Sequence, residues 1–435
     1  MAATIILGAG ISGISASYHL GLKGIKSIIL EKDDDWAGLC GNFKIDGFRF
    51  DKAIHLSFTE NEYVKKIFSN STDYIVHKPN SSNFYSGFWT KHPLQNNLYP
   101  LPTAVKVKVI ADFVKNQALD RNVVNYEDWL KAQYGDYFAE EFPMRYTRKY
   151  WRCEARELTT SWVGNRMYKP NIEEVLQGAL SEDTPNTYYA KEMRYPKKGG
   201  YKSFLNKMAK QCNISTEFDV VEIDTKQKLI KFANGEFQTY EYLISTIPLP
   251  EYANLIKNLP SRVKSACDDL QYTSVGLVSV GLRNQNEKYP LKNNLWFYIY
   301  DEDILAARCY SPSAKSPDNA PKGCYSYQFE IYFNEKQEIN NDIEQIKNKT
   351  LEAAQKMGLF DLDDVLISDY RILKYGNVIF NKSMEKNRGL VLNYLNSESI
   401  HTAGRFGEWD YLWSDQSLLS GKRAAQIVVN NMSEV

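Results

Sequence analysis

The stretch Gly8-Ala9-Gly10-Ile11-Ser12-Gly13 constrains this chain more than any other segment, because of what stands on either side of it. Before it lies a short apolar run, Ala3 to Leu7, which reads as a buried parallel strand. After it, residues 12–22 read as a helix with small residues at Gly13 and Ala16. Gly8 permits a tight turn, Gly10 lets a pyrophosphate approach the backbone, and Gly13 lets the helix pack close to the strands. Free N–H groups and the helix dipole then face the phosphates, with Ser12 beside them. A second apolar run, Ser27 to Leu30, ends at Glu31, whose carboxylate can accept hydrogen bonds from ribose hydroxyls. Strand, turn, helix, strand and acid are in register for one βαβ dinucleotide-binding unit.

The rest of the chain must accommodate that unit. At 435 residues, two to three domains are expected. Lys and Arg balance Asp and Glu at 53 each, which gives no electrostatic footprint for nucleic acid or an anionic membrane. Six cysteines stand without CxxC spacing or a histidine cluster, so neither a disulfide framework nor a metal site is expected, and a reducing cytoplasm fits. The N-terminus enters a strand without a basic region, so no signal peptide is expected. The apolar run is also far short of the ~20 residues of a membrane span. Aromatic residues reach 13%, a load that suits a pocket for planar and sugar rings as well as an ordinary core.

Residues 60–190 read as mainly helical, most cleanly from Ala104 to Gln117 and less so from Tyr126 to Phe138. Residues 214–248 change period and read as strands with an Asn234-Gly235 hairpin turn. Alternating apolar runs across 272–333 predict a further sheet. Helices are expected over Asn340–Met357 and Gln416–Asn430. The predicted architecture is α/β. A Rossmann-type domain is assembled from 1–75, 192–250 and 385–435, a helical substrate domain spans 76–191, and a sheet-containing substrate domain spans 251–384.

Two segments narrow the dinucleotide. "DDDWAGLCGNFKIDGFRFD" after Glu31 and "HTAGRFGEWDYLWSDQSLLSGKRAAQIV" at the end resemble the amine oxidase and protoporphyrinogen oxidase superfamily of flavoproteins. That resemblance implies non-covalent FAD, with contacts at Gly38 and Leu39, at the adenine-side strand residue Val221, and at Gly404 and Arg405. It also implies a final helix starting near Asp415, Gln416 and Ser417, with Asp415 as its cap. The dipole of such a helix stabilises charge on a reduced flavin.

Further segments resemble UDP-galactopyranose mutase in its eukaryotic-type branch: "HPLQNNLYPLP", "RYTRKYW", "TTSWVGNRM", "MRYPKKGGY", "WFYIYDEDILAARCYSPSAKSP" and "GRFGEWDY". The resemblance implies a nucleotide-sugar substrate held by Arg166, Arg308 and Tyr411 at its phosphates. Trp151 and Tyr298 would line the uridine or sugar pocket, and Gln95 the nucleotide side. Guanidinium forks suit a pyrophosphate because they bind it bidentately. The implied reaction interconverts pyranose and furanose forms for cell-surface polysaccharide synthesis. Reduced flavin N5 is its nucleophile, His55 tunes N5, Arg308 assists, and NAD(P)H is a possible reductant.

Departures from the family pattern stand at the same places. Lys52-Ala53-Ile54-His55 replaces a Gly-Gly-His, Ala37 replaces a glycine, Thr147 an asparagine, and Asn377 a phosphate-binding tyrosine. The lost glycines predict a changed backbone approach to the flavin. Two other functions therefore stay open: an FAD-dependent oxidase, dehydrogenase or desaturase, and a non-catalytic flavin or nucleotide-sugar binding protein.

Overall fold

The computed structural model describes residues 4–164, 166–185, 187, 190–283, 294–334 and 342–433. A five-stranded parallel sheet carries the βαβ unit. Its order is Ile400–Thr402, Tyr242–Ser245, Thr4–Leu7, Ser27–Leu30, Asn213–Ser215. Strands from three distant stretches lie side by side, and the three inner ones, Tyr242–Ser245, Thr4–Leu7 and Ser27–Leu30, are short, largely apolar runs of the kind that parallel strands covered on both sides require. The helix Ile11–Gly21 covers one side and packs against the final helix, Ser414–Ser433. Small residues allow that approach. A Cβ on Gly421 would stand 2.1 Å from the Ser12 carbonyl oxygen. Ser12 Oγ and Ser15 Oγ donate to the carbonyls of Ser417 and Leu418 across the same seam.

A seven-stranded sheet forms the second large layer, in the order Val365–Val378, Tyr272–Leu282, Tyr325–Asn334, Arg308–Tyr310, Trp296–Ile299, Ser81–Tyr85, Phe88–Lys91. Every residue of Tyr272–Leu282 is buried, since both faces of the sheet are covered. The expected helical region 60–190 is only partly so. Helices Thr103–Asn116, Tyr126–Tyr134, Arg145–Tyr150 and Ile172–Leu180 are present. Strands Ser81–Tyr85 and Phe88–Lys91, however, complete the large sheet. Partners some two hundred residues away decide that pairing, so local periodicity does not reveal it.

The hairpin turn at Asn234-Gly235 joins Leu229–Phe232 to Phe237–Thr239, as read from the sequence. The helix expected from Asn340 runs Ile343–Lys356, capped by the Asp342 carboxylate. Its first expected residues, 340 and 341, lie outside the described residues. No described helix is long and apolar enough to cross a membrane.

Candidate functional site

A cavity of about 930 Å³ runs from the glycine turn of the parallel sheet to the large sheet. Its volume is at the upper end of ordinary ligand pockets. At one end the wall is backbone. Gly8, at φ 96°, donates its N–H to the Leu30 carbonyl and closes the turn. Glu31 Oε2 accepts the Ala9 N–H at 2.6 Å, and Oε1 accepts that of Asp33 at 3.1 Å. Gly13 stands behind the wall, where a Cβ would fall 2.0 Å from the Gly8 carbonyl oxygen. A Cβ on Gly10 would meet nothing within 4 Å and would project into open space beside the turn. Gly8, Gly10, Ser12, Glu31, Gly38, Leu39, Gly404, Arg405 and Ser417 all line this cavity. A glycine turn, an acid beyond the second strand and a helix start fit the pyrophosphate and ribose of a dinucleotide.

Alanines stand at two of the lost glycines in backbone conformations that favour glycine. Ala37 and Ala53 hold φ of 92° and 71°, the left-handed region that favours glycine. Such a conformation costs an alanine on the order of 1 kcal/mol. Ala37 keeps its N–H on the Ala9 carbonyl. Ala53 accepts at its carbonyl from His55 Nδ1, 3.1 Å away. His55 lines the cavity with its ring against Tyr201, centroids 4.9 Å apart. Burial lowers its pKa, and the Asp51 charge opposes that shift only in part. The imidazole is therefore neutral near neutral pH.

The final helix differs in detail from its expected start. It begins at Ser414, and the side chain of Gln416 accepts the Trp413 N–H at 2.9 Å. Asp415 sits in the first turn and is not the cap. Ser414 and Ser417 line the cavity, whereas Asp415 and Gln416 do not.

The other end is built from side chains. Arg308 leaves its short strand toward the cavity, with Nε donating to Glu330 Oε2 at 2.7 Å. Burial alone would lower the Arg308 pKa, but the Glu330 carboxylate raises it well above its ordinary value. Arg405 Nη2 and the Tyr150 hydroxyl both donate to Asn377 Oδ1 at 3.0 Å. Arg405 also covers the ring of Tyr411 at 4.4 Å, and the Tyr411 hydroxyl lies 3.2 Å from that of Tyr150. Buried Arg405 Nε and Asn377 Nδ2 have no hydrogen-bond partner in the protein. Tyr298 completes it, its ring 4.8 Å from that of His92.

Several expected contacts lie outside the cavity wall. Arg166 lies behind Tyr411, stacked at 4.7 Å on it and 4.8 Å on Trp413. Its guanidinium donates to the carbonyls of Trp162 and Tyr411. Trp151 is buried against Trp162 and Tyr411, so it supports the wall from behind. Gln95 spends its amide on the Tyr168 carbonyl. Val221 points to solvent because a bulge at Val220/Glu222 turns Val220 to the cavity instead.

Sequence reading also missed contributors. Tyr150 and Tyr332 line the cavity, and Glu330 stands directly behind it. Glu330 carried a signal: a carboxylate at the centre of the apolar strand Tyr325–Asn334 is costly unless paired. Among the described residues no cluster of His, Cys, Asp or Glu could hold a metal ion.

Residues 6–70 match the model of an NAD(P)-binding Rossmann-like domain. The chain is 36% identical over 75 residues to an inactive all-trans-retinol 13,14-reductase from Danio rerio. It is 35% identical over 78 residues to a 4,4'-diapophytoene desaturase from Staphylococcus haemolyticus. Each match covers 17% of this chain and only 12% and 15% of the respective relative. A crystal structure of reduced UDP-galactopyranose mutase superposes with a TM-score of 0.93 over 99% of this chain and 94% of that one, at 22% identity. A redesigned putrescine oxidase superposes with a TM-score of 0.67 over 99% of both chains, at 14% identity. The chain thus has the α/β fold of a UDP-galactopyranose mutase, with a Rossmann-type dinucleotide-binding domain among the sheets that fold comprises.

Proposed function

We propose that this chain is an FAD-dependent nucleotide-sugar mutase that interconverts the pyranose and furanose forms of a UDP-sugar. One observation carries the reading: within a mutase fold, a single cavity joins a dinucleotide cradle to an end rich in arginine and tyrosine. Gly8, Gly10, Glu31 and the start of the final helix would hold the FAD. When bound and reduced, the flavin supplies a nucleophilic nitrogen for the anomeric carbon. The chain's own groups do the rest. Arg308 and Arg405 hold the leaving diphosphate close, so that it returns to the same sugar. Tyr298 and Tyr411 wall the sugar, and the neutral ring of His55 offers a nitrogen beside the cofactor face. The reaction has no net redox change, so a reductant such as NAD(P)H is needed only to prime it. A cytoplasmic role in furanose supply for polysaccharide synthesis accords with six free cysteines.

A second reading, flavin-dependent hydride transfer, draws on the apolar residues Ile54, Leu56 and Phe58 beside His55. The two readings separate in one experiment. FAD-loaded protein, oxidised or reduced with dithionite, is incubated anaerobically with a panel of UDP-sugars, and the products are resolved by chromatography. The mutase reading expects ring isomers from the reduced protein alone. Conversion by the oxidised protein alone would favour hydride transfer.

A further inference from the structure

Glu330 takes no part in the proposed reaction, yet both of its carboxylate oxygens are engaged beside the cavity. Its side chain is fully buried. Oε1 accepts the backbone N–H of Ile54 at 3.0 Å, and Oε2 accepts Arg308 Nε and the Tyr332 hydroxyl, each at 2.7 Å. Arg308 and Tyr332 belong to the large sheet. Ile54 belongs to the loop that carries Ala53 and His55 from the other side of the cavity. One carboxylate therefore ties the anion-facing guanidinium to the loop beside the cofactor cradle.

The chemistry of the tie is specific. Everything that meets Glu330 is a donor: a peptide N–H, a guanidinium and a phenol. An ionised carboxylate accepts at both oxygens, whereas an amide accepts at one end and donates at the other. A glutamine here would satisfy either the loop or the arginine and turn its own N–H₂ toward donors on the opposite side. The isosteric neutral residue thus cannot make the same bridge.

We propose that Glu330 is a positioning residue that holds Arg308 and the His55 loop at one fixed spacing, so that a substrate diphosphate and its sugar are registered against the cofactor face. The proposal rests on the nucleotide-sugar reading. A role confined to counter-charge would act in the opposite direction, since removing a negative charge beside Arg308 would strengthen anion binding.

The test is a titration of FAD-loaded wild type, Glu330→Gln and Glu330→Asp with UDP by calorimetry, alongside FAD content. Positioning expects Glu330→Gln to bind UDP about tenfold more weakly, the worth of one misdirected charge-assisted contact. Glu330→Asp, which keeps two accepting oxygens on a shorter stem, should fall between wild type and Gln. FAD content should stay at the wild-type level in both. Unchanged or tighter UDP binding in Glu330→Gln would overturn the proposal. If that variant does not fold, Glu330→Asp decides alone: weaker UDP binding at full FAD content supports positioning, and unchanged binding overturns it. Failure of the wild type to bind UDP would overturn the nucleotide-sugar reading and this inference with it.

Discussion

The two ends of the cavity are built on different principles. At the cradle the wall is main chain, and its shape follows from conformations and contacts that a few small residues permit. At the opposite end the wall is a lattice of tyrosines and arginines drawn from the helix Arg145–Tyr150, the large sheet and the segment after Gly404. A main-chain wall is encoded over about thirty consecutive residues. A side-chain wall depends on where distant elements finally pack. The first holds Ala37 and Ala53, in place of glycines, at positive φ. In the second, one expected arginine, Arg166, stands behind the wall and another, Arg308, is already tied to Glu330.

The largest expected effect is at the side-chain end. Arg308→Ala leaves the Glu330 carboxylate buried without its counter-charge, which should cost about 3–5 kcal/mol in chemical denaturation. Arg308→Lys should cost clearly less, because the charge remains. A loss below about 1 kcal/mol for Arg308→Ala would show the pair to be no support of the wall.

The cradle should respond in an all-or-none manner that depends on position. Gly13→Ala drives a Cβ against the Gly8 carbonyl and should destabilise by about 1–3 kcal/mol or more, with loss of FAD retention. Gly10→Ala meets no protein atom and should keep its melting behaviour while retaining FAD poorly. Equal stability loss in the two variants would contradict the division between packing and ligand-facing glycines.

These positions show what the sequence made legible. The glycine turn, Glu31, the final helix and the α/β class were readable because local spacing determines them. The sheet membership of Ser81–Tyr85, the bulge that turns Val221 outward, and the Gln416 cap were not, since partners far along the chain decide them. The motif around Arg166 places its backbone, while the direction of its side chain follows from stacking on Tyr411 and Trp413.

Acid should weaken the side-chain end next. His92 is half-buried, its Nδ1 hydrogen-bonded to Asn83 Oδ1, and desolvation pushes its pKa down to about 3. The folded state keeps it neutral, while the unfolded chain protonates it below about pH 6.5. Stability from this group is therefore complete above that pH. It is lost at about 1.4 kcal/mol per pH unit on descent toward pH 3. Urea denaturation at several pH values should give His92→Gln a shallower acid limb than wild type. Identical slopes would show that His92 contributes nothing to the acid limb.

The smallest effect should come from Arg166. Arg166→Met should change UDP affinity less than about threefold, while Arg405→Met should weaken it about tenfold through a lost phosphate contact. The reverse order would move the diphosphate to the far face of Tyr411.

In the proposed reaction, cradle and side-chain end act together without net redox change. The most direct measurement counts product against electrons. FAD-loaded protein is reduced once under anaerobic conditions, and ring-isomerised UDP-sugar is quantified per flavin reduced. Many products per reduction are expected of a redox-neutral reaction, with the flavin still reduced at the end. One product or fewer per flavin, formed as the flavin changes oxidation state, would contradict it.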